Sequence, residues 1–338
     1  MILLLLSISK SFGNITNNPN TEKGIIALMY HRFDENKYPS TNIRMEVFNK
    51  HLEEIKKLNL EFISFDKFEK IVNSNIDKNY VLLTIDDAFA SFYLNAWPII
   101  KKNKIPVVLF VSTREVGNYG YMTWEQIKEI KSSGLVTIGN HSHSHEYLID
   151  WDEKKIKDDL RKSIKIFNKE LGYSPKLFSY PFGEYSTILK KIVADLNFKF
   201  AFGQHSGVID LSKNFLEFPR FPINEKYGEI KRFKSILKTL PFPYKKIVPE
   251  NRYLIEEENP PEVKITFFEN QKNLKNINCY SNEGNIWKKS NIKFITETEL
   301  LITFNEKFKS ERGRINCSLW VSKGKWRWLG IQYVIAKY

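Results

Sequence analysis

Two adjacent carboxylates, Asp86 and Asp87, and three closely spaced histidines, His141, His143 and His145, are the residues of this 338-residue chain best suited to chemistry. One carboxylate and two imidazoles can hold a divalent ion and leave a coordination position open for water. The second carboxylate is then free to move a proton. That is the equipment of a hydrolase. A third stretch, Ser179-Tyr180-Pro181-Phe182-Gly183, follows in chain order. Each piece alone is ordinary, since an Asp-Asp pair often caps a helix and a His-x-x-x-His pair is often merely solvated. Their combination carries the reading.

Those residues must be positioned by the elements before them. Tyr80–Ile85 is a near-continuous apolar run, the pattern of a buried parallel strand, and it delivers Asp86 and Asp87 at its carboxyl end. Neighbouring side chains at a strand end diverge, so one aspartate can ligate while the other acts as base. Leu135–Gly139 is a second such run and feeds the histidine cluster. If the chain turns helical there, His141 and His145 share one face and reach one ion, while His143 points elsewhere.

At this point the sequence resembles the polysaccharide deacetylases of the NodB-homology type, carbohydrate esterase family 4. The resemblance spans roughly residues 24–240. It rests on the motif order, on Tyr121-Met122-Thr123-Trp124, and on Gly139-Asn140-His141-Ser142-His143-Ser144-His145. It implies an irregular (β/α)7 barrel and removal of N-acetyl groups from an acetylated polysaccharide or oligosaccharide. By position it implies Asp86 as general base and Asp87, His141 and His145 as ligands of one divalent metal, usually Zn2+. Tyr180, Pro181 and Phe182 match the stretch that lines the substrate groove and supplies an oxyanion-binding N–H. Most members carry an arginine two residues before that proline, and here the position is Ser179. The Tyr-Pro-aromatic-Gly form resembles the poly-N-acetylglucosamine deacetylase branch. The late Leu-x-His motif that supplies the general acid is not evident, which leaves His205, an early histidine such as His31, or another group. Met29-Tyr30-His31, at the end of the apolar run Gly24–Tyr30, also resembles the secreted branch; otherwise His31 simply caps a strand end. His51 reads as part of an amphipathic helix surface.

Two rivals stand beside this reading. One is a hydrolase of the same fold acting on another amide or an O-acetyl ester. The other is a glycan-binding protein that has lost catalysis.

A hydrophobic content of 42% excludes a disordered chain and suits one large domain with a small one. The formal net charge of +13 is spread along the chain without the clustered Arg/Lys motif that would favour nucleic acid. It allows peripheral attraction to an anionic cell envelope. The opening Met1–Ile8 resembles the apolar region of an export signal, although no positive charge precedes it, and residues 1–20 are read as a leader to a periplasmic or extracellular protein. Cys279 and Cys317 suit one disulfide or two core thiols.

Strand-like and helical runs alternate through residues 21–245, the expected barrel. Residues 246–262, rich in Glu and Pro, read as a linker. The texture of 263–338 is β, and a small β-sandwich is expected there. In its last hairpin, a three-residue loop Lys323-Gly324-Lys325 would set Leu329 opposite Leu319 and Ile331 opposite Cys317. That register gathers Trp320, Trp326 and Trp328 on the other face, against the barrel or open to glycan.

Overall fold

The computed structural model describes residues 22–269 and 271–336, so the expected leader at 1–20 lies outside the described residues. The first apolar run forms β1 (Ile25–Tyr30), buried at all six positions. Helix α1 (Met45–Lys57) follows, then a short β2 (Glu61–Phe62) and α2 (Phe65–Val72). The run that ends at the paired aspartates is β3 (Tyr80–Ile85), again wholly buried. Next come α3 (Trp97–Lys102), β4 (Val107–Val111), α4 (Trp124–Ser132) and β5 (Val136–Asn140). The barrel half of the chain ends with α5 (Glu153–Leu171), β6 (Leu177–Ser179), α6 (Thr187–Asp195), β7 (Phe200–Phe202), β8 (Phe221–Pro222) and α7 (Ile230–Ile236).

The strands pair in parallel in the order β8-β1-β3-β4-β5-β6-β7, with β2 alongside the start of β3. Their near-continuous apolar runs are explained by this arrangement, since helices cover the outer face of the curled sheet and strand side chains such as Leu82, Phe110 and Phe202 fill its inner face. The curled sheet nearly meets itself: Ala201 N–H bonds the Phe215 carbonyl (2.8 Å) and Gly203 N–H the Phe218 carbonyl (2.9 Å), just before β8. The architecture is the expected irregular barrel of seven parallel strands, with β2 as an extra. In-register pairs such as Tyr30↔Ile85 and Val111↔Asn140 align the carboxyl ends, so Asp86, His141 and His31 emerge on one rim.

Residues 246–262, expected as a linker, are structured. Strand β9 (Tyr244–Val248) pairs antiparallel with β11 (Val263–Phe267), and β10 (Tyr253–Leu254) pairs with the last strand of the chain. The remaining strands are β12 (Asn278–Ser281), β13 (Lys288–Lys289), β14 (Asn291–Phe294), β15 (Glu299–Thr303), β16 (Arg312–Ser322) and β17 (Lys325–Ile335). They form two sheets, β9-β11-β15-β14 and β10-β17-β16-β12-β13, around a shared core that includes Ile265, Ile302, Ile315 and Ile331. Cys279 and Cys317, paired directly across β12 and β16, form a disulfide.

The β16–β17 hairpin corrects the expected register. The turn is the two-residue Lys323-Gly324, with Gly324 at φ +75°, a conformation that costs glycine little. A two-residue loop alone would mix the faces, but a bulge at Val321 adds the missing residue, so Trp320 faces Trp326 and Cys317 faces Leu329. The pairing is shifted by two residues from the expected one, an even number. The faces are therefore preserved: Ile315, Cys317, Leu319, Leu329 and Ile331 point into the sandwich. Asn316, Trp328 and Gln332 look towards the barrel.

Candidate active site

Asp86 and Asp87 diverge as strand-end neighbours should. Asp86 is completely buried and receives two hydrogen bonds from Arg220, Nη1 to Oδ1 at 2.7 Å and Nη2 to Oδ2 at 2.8 Å. The same guanidinium donates to Thr84 Oγ1, Ser179 Oγ and the Gly203 carbonyl, so all five of its donors are used. Ser179 also donates to Asp86 Oδ2 at 3.3 Å. Burial by itself would raise the Asp86 carboxyl, but Arg220, followed by His141 and His31, outweighs it and holds the group below its usual range.

Asp87 takes the left-handed conformation (φ 73°), as does Ala88 after it (φ 56°), and this bend turns the second carboxylate towards the histidines. Its Oδ1 lies 3.4 Å from His141 Nε2 and 3.1 Å from His145 Nε2. Burial pushes Asp87 up, yet the two imidazoles bring it well below its usual value. His145 is shifted the opposite way: burial lowers it and Asp87 raises it further.

The histidine segment is not helical. His141 and His145 converge because Ser142 (φ 69°) and His145 (φ 54°) both adopt left-handed backbone, giving a tight loop instead of a helical turn. Neighbouring elements clamp that loop. Asp159 of α5 accepts from the His143 and Ser144 N–H groups (2.9 and 3.0 Å), Asn140 accepts from Ser142 N–H, and Ser112 donates to the His141 carbonyl. His143 points away, to Thr113 Oγ1 at 2.9 Å.

His141 Nδ1 lies 2.6 Å from the Ser179 carbonyl, which can only accept. The proton therefore sits on Nδ1, and the Nε2 lone pair faces Asp87 and His145. Both His141 Nε2 and Asp87 Oδ1 are buried without a hydrogen-bond partner. One ligand atom from each of Asp87, His141 and His145 lies within 4.8 Å of the others. Orphaned buried acceptors converging this closely fit a divalent cation and little else.

Asp87 and His145 of the triad line a cleft of about 700 Å³, which His31, Phe182 and His205 also line. His31 is half-buried and shifted down by burial, with Asp87 and Asp86 acting against that shift. His205 presents a buried, unpartnered Nδ1, and burial lowers it to about 4. Of the groove stretch, Phe182 reaches the cleft, stacked on Tyr147 at 4.1 Å and edge-on to His145 at 4.8 Å. Tyr180 does not: its ring is in the core, its hydroxyl donates to the Leu216 carbonyl, and its N–H is taken by Phe202. Pro181 has no N–H, so within this stretch the backbone donor left for the cleft is that of Phe182.

Two side chains escaped the sequence reading. Arg220 supplies the guanidinium expected at position 179, from 41 residues later; the small Ser179 leaves room for it. Its signal in the sequence was an arginine flanked by Pro219, Phe221 and Pro222, an apolar setting in which a charge needs a partner. His51, expected on a helix surface, is fully buried. Its ring meets Tyr30 OH (2.9 Å) and the Gly228 carbonyl (2.7 Å) and stacks on Phe233 at 3.8 Å.

Parallel barrel, paired aspartates and histidine loop together define a polysaccharide deacetylase domain. Residues 73–201 match the model of the polysaccharide deacetylase family, and this chain carries that domain in its NodB-homology form. The poly-beta-1,6-N-acetyl-D-glucosamine N-deacetylase of Staphylococcus aureus (strain MSSA476) is 25% identical over 271 residues, 69% of this chain and 93% of that protein. The structure of the Streptococcus pyogenes deacetylase PplD in complex with acetate superposes with a TM-score of 0.56 at 25% identity, covering 61% of this chain and 94% of that one. IcaB from Ammonifex degensii shares the fold at a TM-score of 0.53 and 24% identity, over 62% and 95% of the two chains.

Proposed function

We propose that this protein is a metal-dependent N-deacetylase that hydrolyses acetamide groups on an acetylated polysaccharide or oligosaccharide. The observation that carries the reading is the adjacency of a buried, arginine-held Asp86 to the convergent ligand set Asp87, His141 and His145, in which Asp87 Oδ1 and His141 Nε2 have no hydrogen-bond partner. Two imidazoles and one carboxylate suit Zn2+, and a divalent ion there would polarise the acetamide carbonyl and lower the pKa of water.

The chain's own residues supply the rest. Asp86, kept ionised by Arg220, takes the proton of the attacking water. The Phe182 N–H donates to the developing oxyanion. His31 passes a proton to the leaving amine: it lines the cleft with Asp87 and His145, and Asp87 and Asp86 oppose the lowering that burial imposes on its ring, whereas at His205 burial prevails and Glu217 opposes it. His205 is the alternative acid, and at about 4 it is neutral near pH 7. Its unpartnered Nδ1 suits it better to binding substrate. We also propose that the protein acts outside the cytoplasm, in keeping with the disulfide and the apolar start of the chain. No helix among the described residues is long and apolar enough to cross a membrane.

The test is acetate release from N-acetylated and O-acetylated oligosaccharides of matched length. Release accompanied by new free amines is expected. Release from the O-acetyl series alone would favour an esterase, and glycan binding without release a lapsed enzyme.

A further inference from the structure

The cleft has a second wall, the outward face of the β16–β17 hairpin. The two halves are joined by Gly330 N–H to the Ser206 carbonyl, by Trp328 packed edge-on against Phe221 at 5.8 Å, and by the Arg312–Glu184 ion pair at 2.6 Å. Among the described residues that line the cleft, Asp87 is the one acidic side chain, and the metal triad claims it. Three arginines line it: Arg232 from α7, and Arg312 and Arg314 from β16.

Arg312 is ion-paired with Glu184; neither of the other two makes an ion pair with a carboxylate among the described residues. Arg232 donates to the Tyr227 and Pro222 carbonyls, and Arg314 Nε donates to Gln332 Oε1 at 3.2 Å. Tyr227 lies near both: the Arg232 guanidinium stands 5.1 Å from its ring, and its phenol is within electrostatic reach of Arg314. Gln332 is an independent pointer. It is 6% exposed, and because an arginine can only donate, its Oε1 is fixed towards Arg314, leaving Nε2 buried in the cleft wall without a partner. A buried donor left unpaired is costly unless a ligand supplies the acceptor. Burial lowers both guanidiniums from their ordinary value, Arg232 to about 10; Tyr227 opposes the shift at both, and at Arg314 the neighbouring Arg312 adds to it while Glu184 only partly offsets it.

We propose that Arg232, Arg314 and Gln332 form an anion subsite that receives a carboxylate or phosphate carried by the glycan beside the sugar whose acetyl group is removed. This rests on the deacetylase reading and narrows its substrate class to an N-acetylated glycan with acidic substituents. A neutral homopolymer of N-acetylglucosamine gains an ammonium with every acetyl lost, and arginines facing it repel that product. An acidic substituent removes the conflict. The overall charge of +13 would steer such a polymer towards the protein.

The test compares kcat/KM for acetate release from three N-acetylglucosamine oligomers of equal length: neutral, bearing a sugar carboxylate, and containing a phosphodiester. At low salt at least one acidic oligomer should exceed the neutral one by about tenfold, the size of one charge-assisted contact. That ratio should collapse in Arg314→Gln and in Arg232→Gln, which lie in different halves of the molecule and do not share a folding risk. Which acidic oligomer is preferred separates carboxylate from phosphate. Calorimetric titration of the acidic oligomers into the same proteins reads the subsite without turnover. Tight binding lost in both variants, with no acetate released by the wild type, would keep the subsite and remove the deacetylase reading. Equal kcat/KM and equal binding for all three oligomers, or an acidic preference unmoved by both substitutions, would overturn the proposal.

Discussion

Arg220 and Asp86, 134 residues apart in the chain, meet as a doubly hydrogen-bonded ion pair with neither side chain exposed to solvent. Removing one partner strands a buried charge, so Arg220→Ala should cost about 3–5 kcal/mol at neutral pH. The sign with pH is fixed. Asp86 is depressed in the folded state, so its contribution is present above the ordinary carboxylate value and is lost as pH falls through the folded one. Without Arg220, burial dominates and Asp86 shifts up; the destabilisation should then shrink on acidification, as Asp86 takes up a proton. Denaturant titrations at several pH values would show it, and the acid limb of the activity profile should move to higher pH in Arg220→Gln.

The two aspartates have separable roles. Asp86→Asn and His31→Gln should keep one bound metal per chain and lose activity by about a hundred- to ten-thousandfold, the usual contribution of general acid–base groups. His141→Ala and His145→Ala should lose the metal itself. Elemental analysis beside acetate release distinguishes the two outcomes, and loss of metal in Asp86→Asn would exchange the roles of Asp86 and Asp87.

His51 gives the fold an acid sensitivity of its own. Burial lowers it from an ordinary value near 6.5 to about 4, with the Gly228 carbonyl opposing. The folded state therefore prefers the neutral ring, and stability present above pH 6.5 should drain away between there and about pH 4. The span corresponds to about 3 kcal/mol. In His51→Gln the pH dependence of the unfolding midpoint should flatten across that window, whatever the variant's stability at neutral pH.

The tryptophan face of the last hairpin divides along its length. Trp328 packs on Phe221 and bonds Asn316 Oδ1 at 3.0 Å, while Trp320 is half exposed. Trp328→Ala should cost about 2 kcal/mol or more, and Trp320→Ala no more than about 0.5 kcal/mol. Equal losses in thermal melts would contradict the shared wall.

The sequence was most informative where one strand decided the outcome. Tyr80–Ile85 is apolar but for Thr84 because helices cover the outer face of its sheet and other strands meet its inner face, so Asp86 and Asp87 could be placed at its end. The histidine cluster was readable as a ligand set but not as a loop, because left-handed backbone at Ser142 and His145 leaves no mark in hydrophobic periodicity. Arg220 was missed because its partner is 134 residues away and no local pattern encodes a long-range ion pair. The two-residue hairpin turn was concealed by the bulge at Val321, which restores the alternation that a longer loop would give. His51 sits at a helix position whose burial is set by the distant Phe233 and Gly228.

The central claim is that a divalent ion held by Asp87, His141 and His145 is required to remove N-acetyl groups from a carbohydrate. The direct measurement is acetate and free-amine release from acetylated oligosaccharides by the purified protein, before and after stripping with a chelator, and again after restoring Zn2+ to one equivalent. Activity that vanishes on stripping and returns at one ion per chain is the predicted result. Release that continues undiminished in protein shown by elemental analysis to be metal-free would contradict it.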